Sequence, residues 1–556
     1  MANPVALAQS DLYKHALFDF TLSKAERLEL SHARSKALVM SFGYTAEDIF
    51  ACSEKFWNSG LCPLNILDVG AFALATIQVN LAVGTLAEHV HRPEIAELCR
   101  KLLAFEISGH YMLTEVNHGL DSQNIETTAT LLDDGGFELH TPHAGAGKFM
   151  PASVPAGGIP RMTIVLARLI GKTGSFMGIR PFAVDLNDGK TMKPGVSCRV
   201  LPDKTGTRPV GHAITYFDRV KLPATALISD LDAKTPPRTR FLLSIWRLGI
   251  GSVFITGMVV PALRIAAHIA AKYAAQRMVT NSAGETAPIL SFRTTQAPIL
   301  QALAQAAVIE AFYKEIRPYY SLPDNSRLAH VLNDRNGITG VFKTIAIHCW
   351  RETSVTLTDR LGARGLFNES QVMSMDMELR GVTIAEGDIL VLCIRLASEL
   401  LIGRYGLPSA RYPNTLLAKY ERGIFEEMRT VFQSIGGDHR SQEFNQLLLP
   451  RCVPLITAIG YRMAFEAAID AHVQPELVRL FEAGAILRNV AWYIENGLVT
   501  RKAAMAKEVV ALNEAFAILD MVLAENGCEP FIYAPIMSSS AWENWVETLP
   551  LYASKL

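Results

Sequence analysis

The spacing of apolar positions changes character along the 556 residues of the chain. Up to about residue 110 they recur at helical intervals, as in "GAFALATIQVNLAVGTLAEHV", and Pro93 in "HRPEIAELC" suits a first helical turn. From "GGFELHTP" through "RMTIVLARLI", "MGIRPFAVDL", "GVSCRVL" and "HAITYFDRVKLP" the runs become short, β-branched or alternating, with Gly, Pro and Asp turns between them. That predicts an antiparallel sheet module ending near residue 233. Helical spacing returns at Thr239 and lasts to about residue 403, broken at "LPDNSR" and "LGARGLFNES"; it resumes after "YGLPSARYPN". The order predicted is helices, a sheet module, helices and more helices, an α+β chain that is mainly α.

Charge and cysteine usage narrow the partners. Lys and Arg total 53 against 54 Asp and Glu, a net charge of -1, which gives no electrostatic footprint for nucleic acid or an anionic membrane. A small molecule or a second copy of the chain is the expected partner. The eight cysteines are scattered without a CxxC pair, so a reducing compartment is expected and a disulfide scaffold is not. The start "MANPVALAQSDLYKHALFDF" lacks the basic onset and long apolar block of a secretion signal, which points inside the cell. The most apolar stretch, residues 241–277, is interrupted by Arg247 and Arg264 with 16 residues between them, short of a bilayer span. A buried core helix is expected there, with no membrane span. The closing Ser554, Lys555 and Leu556 match the receptor-read peroxisomal address, so a peroxisomal import receptor is an expected partner.

Two look-alikes carry no chemistry. "HAGAGKFM" looks like a phosphate loop, but Pro142 stands where the first Gly belongs and no Ser or Thr follows Lys148. His89 and His91 share a spacing that could ligate metal, yet no matching Cys or carboxylate set accompanies them, and no metal site is expected.

"TIAEGDILVL" places Glu386 in an otherwise apolar run. The preceding "RGVTIA" reads as loop and the following "ILVLCIRLASELL" as helix, so Asp388 is the expected N-cap with Glu386 just ahead of the helix. The helix N-terminus favours a carboxylate anion, whereas burial among Ile384, Ile389 and Leu390 would oppose it; a carboxylate between those influences can act as a general base. From spacing alone, a cap without chemistry is the commoner reading.

Longer motifs bring a family into view. "TEVNHGLDSQNIETTAT" (114–130) resembles the acyl-CoA oxidase signature T-E-L-G-H-G followed by G-[IL]-E-T-T-A-T. "KFMPAS" stands where that family has K-W-W-P-G-G, "PILSFRTTQ" where it has P-I-L-D-F-Q-T-Q-Q, and "LGARG" where it has C-G-G-H-G. "WYIENGLVT" and the closing "YAPIMSSSAWENWVETLPLYASKL" resemble its C-terminal helical domain and terminal signal. The resemblance implies the acyl-CoA dehydrogenase-like fold: an N-terminal helical domain (1–110), a middle β domain (111–233), an FAD-binding helical bundle (234–405) and an extra C-terminal helical domain (406–556).

It also implies FAD as cofactor, an acyl-CoA substrate, O2 as electron acceptor and a homodimer sharing the FAD site. In that family a glutamate in an E-G-[DE]-N motif removes the α-proton of the acyl-CoA while the β-hydrogen leaves as hydride to the flavin. Here the motif reads Glu386-Gly387-Asp388-Ile389, which makes Glu386 the expected catalytic base. By the same resemblance Thr114, Ala152 and Ser153 fall at flavin-contacting positions. Arg277 and Gln296 match the family's helix that reaches the FAD of the neighbouring subunit, and Gly362 and Gly365 fall in a loop passing close to the cofactor.

Several positions depart from the family. Ile389 replaces Asn, Phe149 and Met150 replace two tryptophans, Ala152 and Ser153 replace two glycines, and Arg364 replaces His. The altered pocket leaves two substrate classes open: a straight-chain fatty acyl-CoA, or a branched, aromatic or polyketide-derived thioester, with a lean towards the second. Three other readings stay open at this level: a dehydrogenase with a protein electron acceptor, a catalytically degenerate partner subunit, and a flavin monooxygenase.

Overall fold

The computed structural model describes residues 3–14, 19, 21–204, 207–231, 235–321 and 335–552. Ser554, Lys555, Leu556 and the "LPDNSR" break lie outside these residues. The chain forms two compact units, one comprising Met1–Ile255, Arg317–Thr339 and Gly381–Val391, the other Thr256–Ile316, Gly340–Arg380 and Leu392–Leu556.

The first unit opens with helices, among them Lys24–Phe42, Val69–Thr76 and Pro93–Leu103. A capping box between Ser23 and Glu26 starts the first of these, and Pro93 occupies the first turn of the third. Between Val69–Thr76 and the end of that apolar run, residues Ile77–Val83 widen into a π-helix.

Nine strands follow: β1 (Ser108–Met112), β2 (Thr128–Leu131), β3 (Phe137–His140), β4 (Lys148–Phe149), β5 (Arg161–Ile170), β6 (Phe176–Asn187), β7 (Val196–Val200), β8 (Ala213–Phe217) and β9 (Val220–Leu222). Six of them form one sheet in the order β1-β5-β2-β3-β9 with β6 paired to β5, and β4-β8-β7 form a second. The sheets are antiparallel except where β1 and β2 run parallel to β5. The exception has a topological cause: β1 and β2 precede β5 along one of its edges, and the chain returns through β3 and β4 before entering β5, a crossover long enough for parallel pairing. Buried along almost its whole length, β5 sits mid-sheet, which explains the unbroken apolar run "RMTIVLARLI". Phe137 and Phe182 meet edge to face in the core beside it, with centroids 5.1 Å apart.

The long apolar stretch becomes three helices, Pro237–Ser244, Arg247–Thr256 and Val259–Gln276. By length and composition alone Pro237–Gln276, Val69–His89 and Leu449–Asp470 could each cross a membrane, so the two arginines do not shorten the first below a span; its apolar window is 94% buried within the protein. Arg247 and Arg264 are both accommodated: Arg247 by main-chain carbonyls and Arg264 by Glu310.

The second unit is helical, built on Val259–Gln276, Arg293–Ile316, Leu416–Ser434, Leu449–Asp470, Pro475–Arg488 and Arg501–Ala517. Gly460 allows close helix packing, since a Cβ there would stand 2.8 Å from Ile345. A buried ion-pair group of Arg462 with Glu421 and Glu466 joins two of its helices.

Candidate active site

Glu386 lies in the short link before the helix Ile389–Leu401. Asp388 caps that helix, its Oδ1 accepting from the Val391 amide at 3.2 Å. Glu386 itself has φ 57° and Gly387 φ 109°. A glutamate held in the left-handed region costs about 1–3 kcal/mol, a strain that persists only where its surroundings fix it.

Those surroundings differ from the expected apolar cage. Ile384 and Leu390 point outward, 66% and 53% exposed, and only Ile389 is buried. Alternate residues at a helix entry splay apart, so sequence neighbours cannot wall in the carboxylate. The wall comes from elsewhere in the unit. Gly251, in Arg247–Thr256, faces the carboxylate so closely that a Cβ there would stand 2.1 Å from Glu386 Oε2 and 2.4 Å from Asn80 Nδ2. The Tyr111 phenol is pushed up first by burial and then by the negative charge of Glu386, which places the two groups within electrostatic reach. Its hydroxyl donates to Ser244 O at 3.3 Å.

Asn80 is fully buried in the π-helix. Its Nδ2 donates to Arg247 O at 3.0 Å, while Arg247 Nε donates back to Asn80 O at 3.1 Å. Gly84 makes room for that guanidinium, since a Cβ there would stand 2.4 Å from Nε. On the same π-helix Gln78 accepts from the Gly109 amide at 3.0 Å and donates to Leu102 O at 2.5 Å, tying β1 to the helix. Gly109 is needed for that approach, because a Cβ would meet Leu102 at 2.8 Å and Ala82 at 2.9 Å. Gly109 and Tyr111 share one face of β1, so the packing that seats the glycine also aims the tyrosine.

Three residues beyond Tyr111, roughly 10 Å along an extended chain, comes Thr114. Its Oγ1 donates to Phe149 O at 3.1 Å, and the Phe149 amide donates to Thr114 O at 2.9 Å. Beneath them lies a fully buried ion pair: Lys148 Nζ donates to Glu115 Oε1 at 2.9 Å and to the carbonyls of Leu113 and Leu166, while Glu115 accepts from the amides of Glu126 and Thr127. Burial pulls the Lys148 ammonium down to about 8 despite the opposing carboxylate. Phe149 and Met150 are exposed, 41% and 36%, whereas Ala152 and Ser153 are buried. Ala152 packs with Leu74 and Val210, the Ser153 hydroxyl bonds that of Thr215 at 2.8 Å, and Ser153 O accepts from Asn187.

One carboxylate at a strained turn thus lies within electrostatic reach of β1, and the loop that follows that strand carries a hydroxyl. Residues 250–401 match the family model of the acyl-CoA oxidase C-alpha1 domain. The chain is related to the acyl-CoA oxidases and has their fold. Human peroxisomal acyl-coenzyme A oxidase 3 is 28% identical over 313 residues, 53% of this chain and 44% of that protein, so the match spans less than half of that curated relative's length. Acyl-CoA oxidase 1 of Yarrowia lipolytica superposes with a TM-score of 0.81 at 16% identity, covering 98% of this chain and 88% of that one. Acyl-CoA oxidase 2 of Caenorhabditis elegans, solved with FAD, ascaroside-CoA and ATP, gives 0.79 at 17% identity over 100% of this chain and 91% of that one.

Of the residues singled out in the sequence, the first unit of this acyl-CoA oxidase fold holds Thr114, Ala152, Ser153 and Glu386. The second holds Arg277, Gln296, Gly362 and Gly365 as a separate group. Arg277 is the exposed C-cap of Val259–Gln276, and its carbonyl accepts from Ile289 at 2.8 Å. Gln296 is buried and spends its amide on Leu290 O at 3.0 Å, on the same turn. Arg360 Nε reaches Thr294 O at 2.8 Å, which brings the Gly362–Leu366 turn alongside. Gly362 has φ 61°, and a Cβ at Gly365 would stand 2.8 Å from Thr358 O. The guanidinium of Arg364 stacks on Trp542 at 3.9 Å, so that charge is held by an indole.

Gln78, Asn80, Tyr111 and Gly251 were not singled out by sequence reasoning. A signal existed for the first two: they are the two amide side chains inside "ATIQVNLAV", and both are fully buried. Gly251 carried none, since its role is the absence of a side chain opposite a residue 135 positions away.

Proposed function

We propose that this protein is an FAD-dependent acyl-CoA oxidase of the peroxisome, converting an acyl-CoA and O2 into the 2,3-enoyl-CoA and H2O2. The observation that carries the reading is the seating of the Glu386 carboxylate against Gly251 and within reach of Tyr111, which precedes Thr114 by three residues. The family match over residues 250–401, and relatives named peroxisomal acyl-CoA oxidases, support it.

The residues present fit FAD. Exposed Phe149 and Met150 beside the Thr114 hydroxyl offer an apolar surface with a polar edge suited to a flavin ring, and the Thr114 oxygen keeps lone pairs for a donor. Ala152 and Ser153 turn their side chains inward, so contact at those positions would run through the main chain. The exposed guanidinium of Arg277 is a forked permanent cation suited to a pyrophosphate. Our reading includes a homodimer in which Arg277 and Gln296 serve the FAD of the second copy; the exposed Met278 and Val279 next to Arg277 support it.

In the reaction, Glu386 takes the α-proton of the thioester onto its carboxylate. Bound FAD would supply the acceptor for the β-hydrogen with its electron pair, and O2 would be the final acceptor of the two electrons. The proton acceptor must be an anion fixed within hydrogen-bond distance of Cα, and the left-handed turn at 386–387 with its glycine-faced carboxylate supplies a fixed one.

The test is an anaerobic titration of the purified protein with straight-chain, branched and aromatic acyl-CoAs, followed by admission of oxygen. Yellow colour that bleaches with at least one thioester and recovers with stoichiometric peroxide is the expected result, and the thioester that bleaches it identifies the substrate class. A protein that cannot be loaded with FAD, or that stays bleached in oxygen, would overturn the reading.

A further inference from the structure

The groups read as serving FAD on the second unit lie in two separate stretches, at the helix end capped by Arg277 and in the turn Gly362–Leu366. Both are tied to one distant segment, residues 531–545. Gln276, the neighbour of Arg277, donates its side-chain amide to Met537 O. On the other side the guanidinium of Arg364 lies over the Trp542 ring at 3.9 Å, and Phe367 meets Trp545 with centroids 6.3 Å apart. Trp542 and Trp545 are themselves 4.9 Å apart, three positions along the helix Ser539–Glu547, so they share one of its faces.

The strongest tie is at Gln371. Its side chain is buried, and its main chain is in the left-handed region at φ 64°, which a residue with a Cβ keeps only where its surroundings fix it. Those surroundings include the main chain of the segment: Gln371 Oε1 accepts from the amides of Tyr533 and Ala534 at 2.8 and 3.1 Å, and Nε2 donates to Phe531 O at 3.2 Å. One side chain thus satisfies three main-chain groups that no helix or strand supplies with partners. Ser370 donates its hydroxyl to Arg364 O, so the anchor at Gln371 and the turn Gly362–Leu366 are held as one piece. No residue of the helix Ser539–Glu547 is buried, and its tryptophan face is what grips the turn.

We propose that residues 531–545 form a clasp that shapes the cofactor face of the second unit, with Gln371 and Trp542 as positioning residues for FAD. The inference rests on the reading of Arg277, Gly362 and Gly365 as FAD-contacting. It gives the arginine at 364 a purpose: a permanent cation set on an indole fixes the turn from its middle, where Gln371 alone would hold it from one end. Such a clasp couples in both directions. If its closure tightens FAD binding, bound FAD tightens its closure by the same factor.

The experiment compares native protein with Gln371→Leu, Trp542→Leu and Trp542→Phe. Two quantities are read: the FAD dissociation constant of the full chain by equilibrium dialysis, and hydrogen exchange of the Tyr533 and Ala534 amides with and without FAD. Both leucine variants are expected to weaken FAD binding about tenfold, a usual size for coupling between sites. Trp542→Phe, which keeps an aromatic face for Arg364, is expected to stay within about threefold of native. In the native protein FAD is expected to slow exchange at Tyr533 and Ala534, and in Gln371→Leu that slowing is lost. A residue that merely stabilised the fold would lower the melting temperature of the apoprotein and leave both quantities alone. Trp542→Leu, on a helix with no buried residue, carries the test should Gln371→Leu fail to fold. Dissociation constants within about twofold of native in the leucine variants that fold would overturn the proposal, as would native exchange at Tyr533 and Ala534 that does not respond to FAD. Arg277→Ala, measured alongside, separates the two failures: weaker binding there with unchanged leucine variants sinks the clasp alone, whereas unchanged binding in all of them overturns the placement of FAD on this unit.

Discussion

Gly251 and Glu386 share one space: the side chain that Gly251 lacks would stand 2.1 Å from Oε2 of the glutamate. Gly251→Ala therefore displaces the carboxylate by a substantial fraction of a bond length or more. A misplacement near 1 Å costs on the order of 100-fold in rate, so kcat is expected to fall by about that factor with FAD content unchanged. The helix itself gains up to about 1 kcal/mol from replacing a mid-helix glycine. Thermal melting together with kinetics checks the pair of outcomes, and a kcat within twofold of native would contradict the packing.

Lys148 and Glu115 hold the Thr114–Phe149 pairing from below, and both side chains are 0% exposed. Lys148→Met leaves Glu115 charged and buried without its counter-ion, and urea unfolding is expected to show a loss of about 3–5 kcal/mol. The double variant Glu115→Gln with Lys148→Met is expected to recover part of that loss. Equal losses in the single and double variants would show that the ion pair is not the source.

The first unit carries an acid sensitivity. His32 and His110 are buried near Arg161; burial first, then that cation, pulls His32 down to about 3 and His110 well below the ordinary histidine range. Their folded values lie below the unfolded one, so the unfolded state binds more protons between them, and stability falls as pH drops below about 6.5. Each contributes a slope of up to about 1.4 kcal/mol per pH unit. Urea midpoints measured from pH 7 to 4.5 check this, and a flat profile over that range would contradict it. His32→Gln is expected to make the profile shallower.

Arg277 is exposed and caps its helix through its main chain, so Arg277→Ala is expected to leave the melting temperature of the apoprotein within a degree or two, as surface changes within about 0.5 kcal/mol do. FAD loss on dialysis is expected to increase. Unchanged flavin content would remove Arg277 from the cofactor site.

The layer order was legible because periodicity reports burial directly: the run "RMTIVLARLI" reads as a strand covered on both faces, and β5 is one. Asp388 was legible as a cap because capping is local. The parallel pairing of β1 and β2 with β5 was not, since direction depends on how the chain returns between strands. At the site, motif spacing pointed to Glu386 but misjudged its neighbours: Ile384 and Leu390 follow it closely in sequence and turn away, while Gly251, Asn80 and Tyr111 arrive from distant segments. Ala152 and Ser153 show the same limit, placed by alignment in a loop whose outward residues are Phe149 and Met150.

Stopped-flow bleaching of the flavin under anaerobic conditions in Glu386→Gln, with the acyl-CoA that bleaches the native protein, reads whether Glu386 accepts the α-proton. Normal FAD content, retained acyl-CoA binding and a bleaching rate reduced by at least about 1,000-fold are expected, as for loss of a general base. Bleaching within tenfold of the native rate would contradict that role.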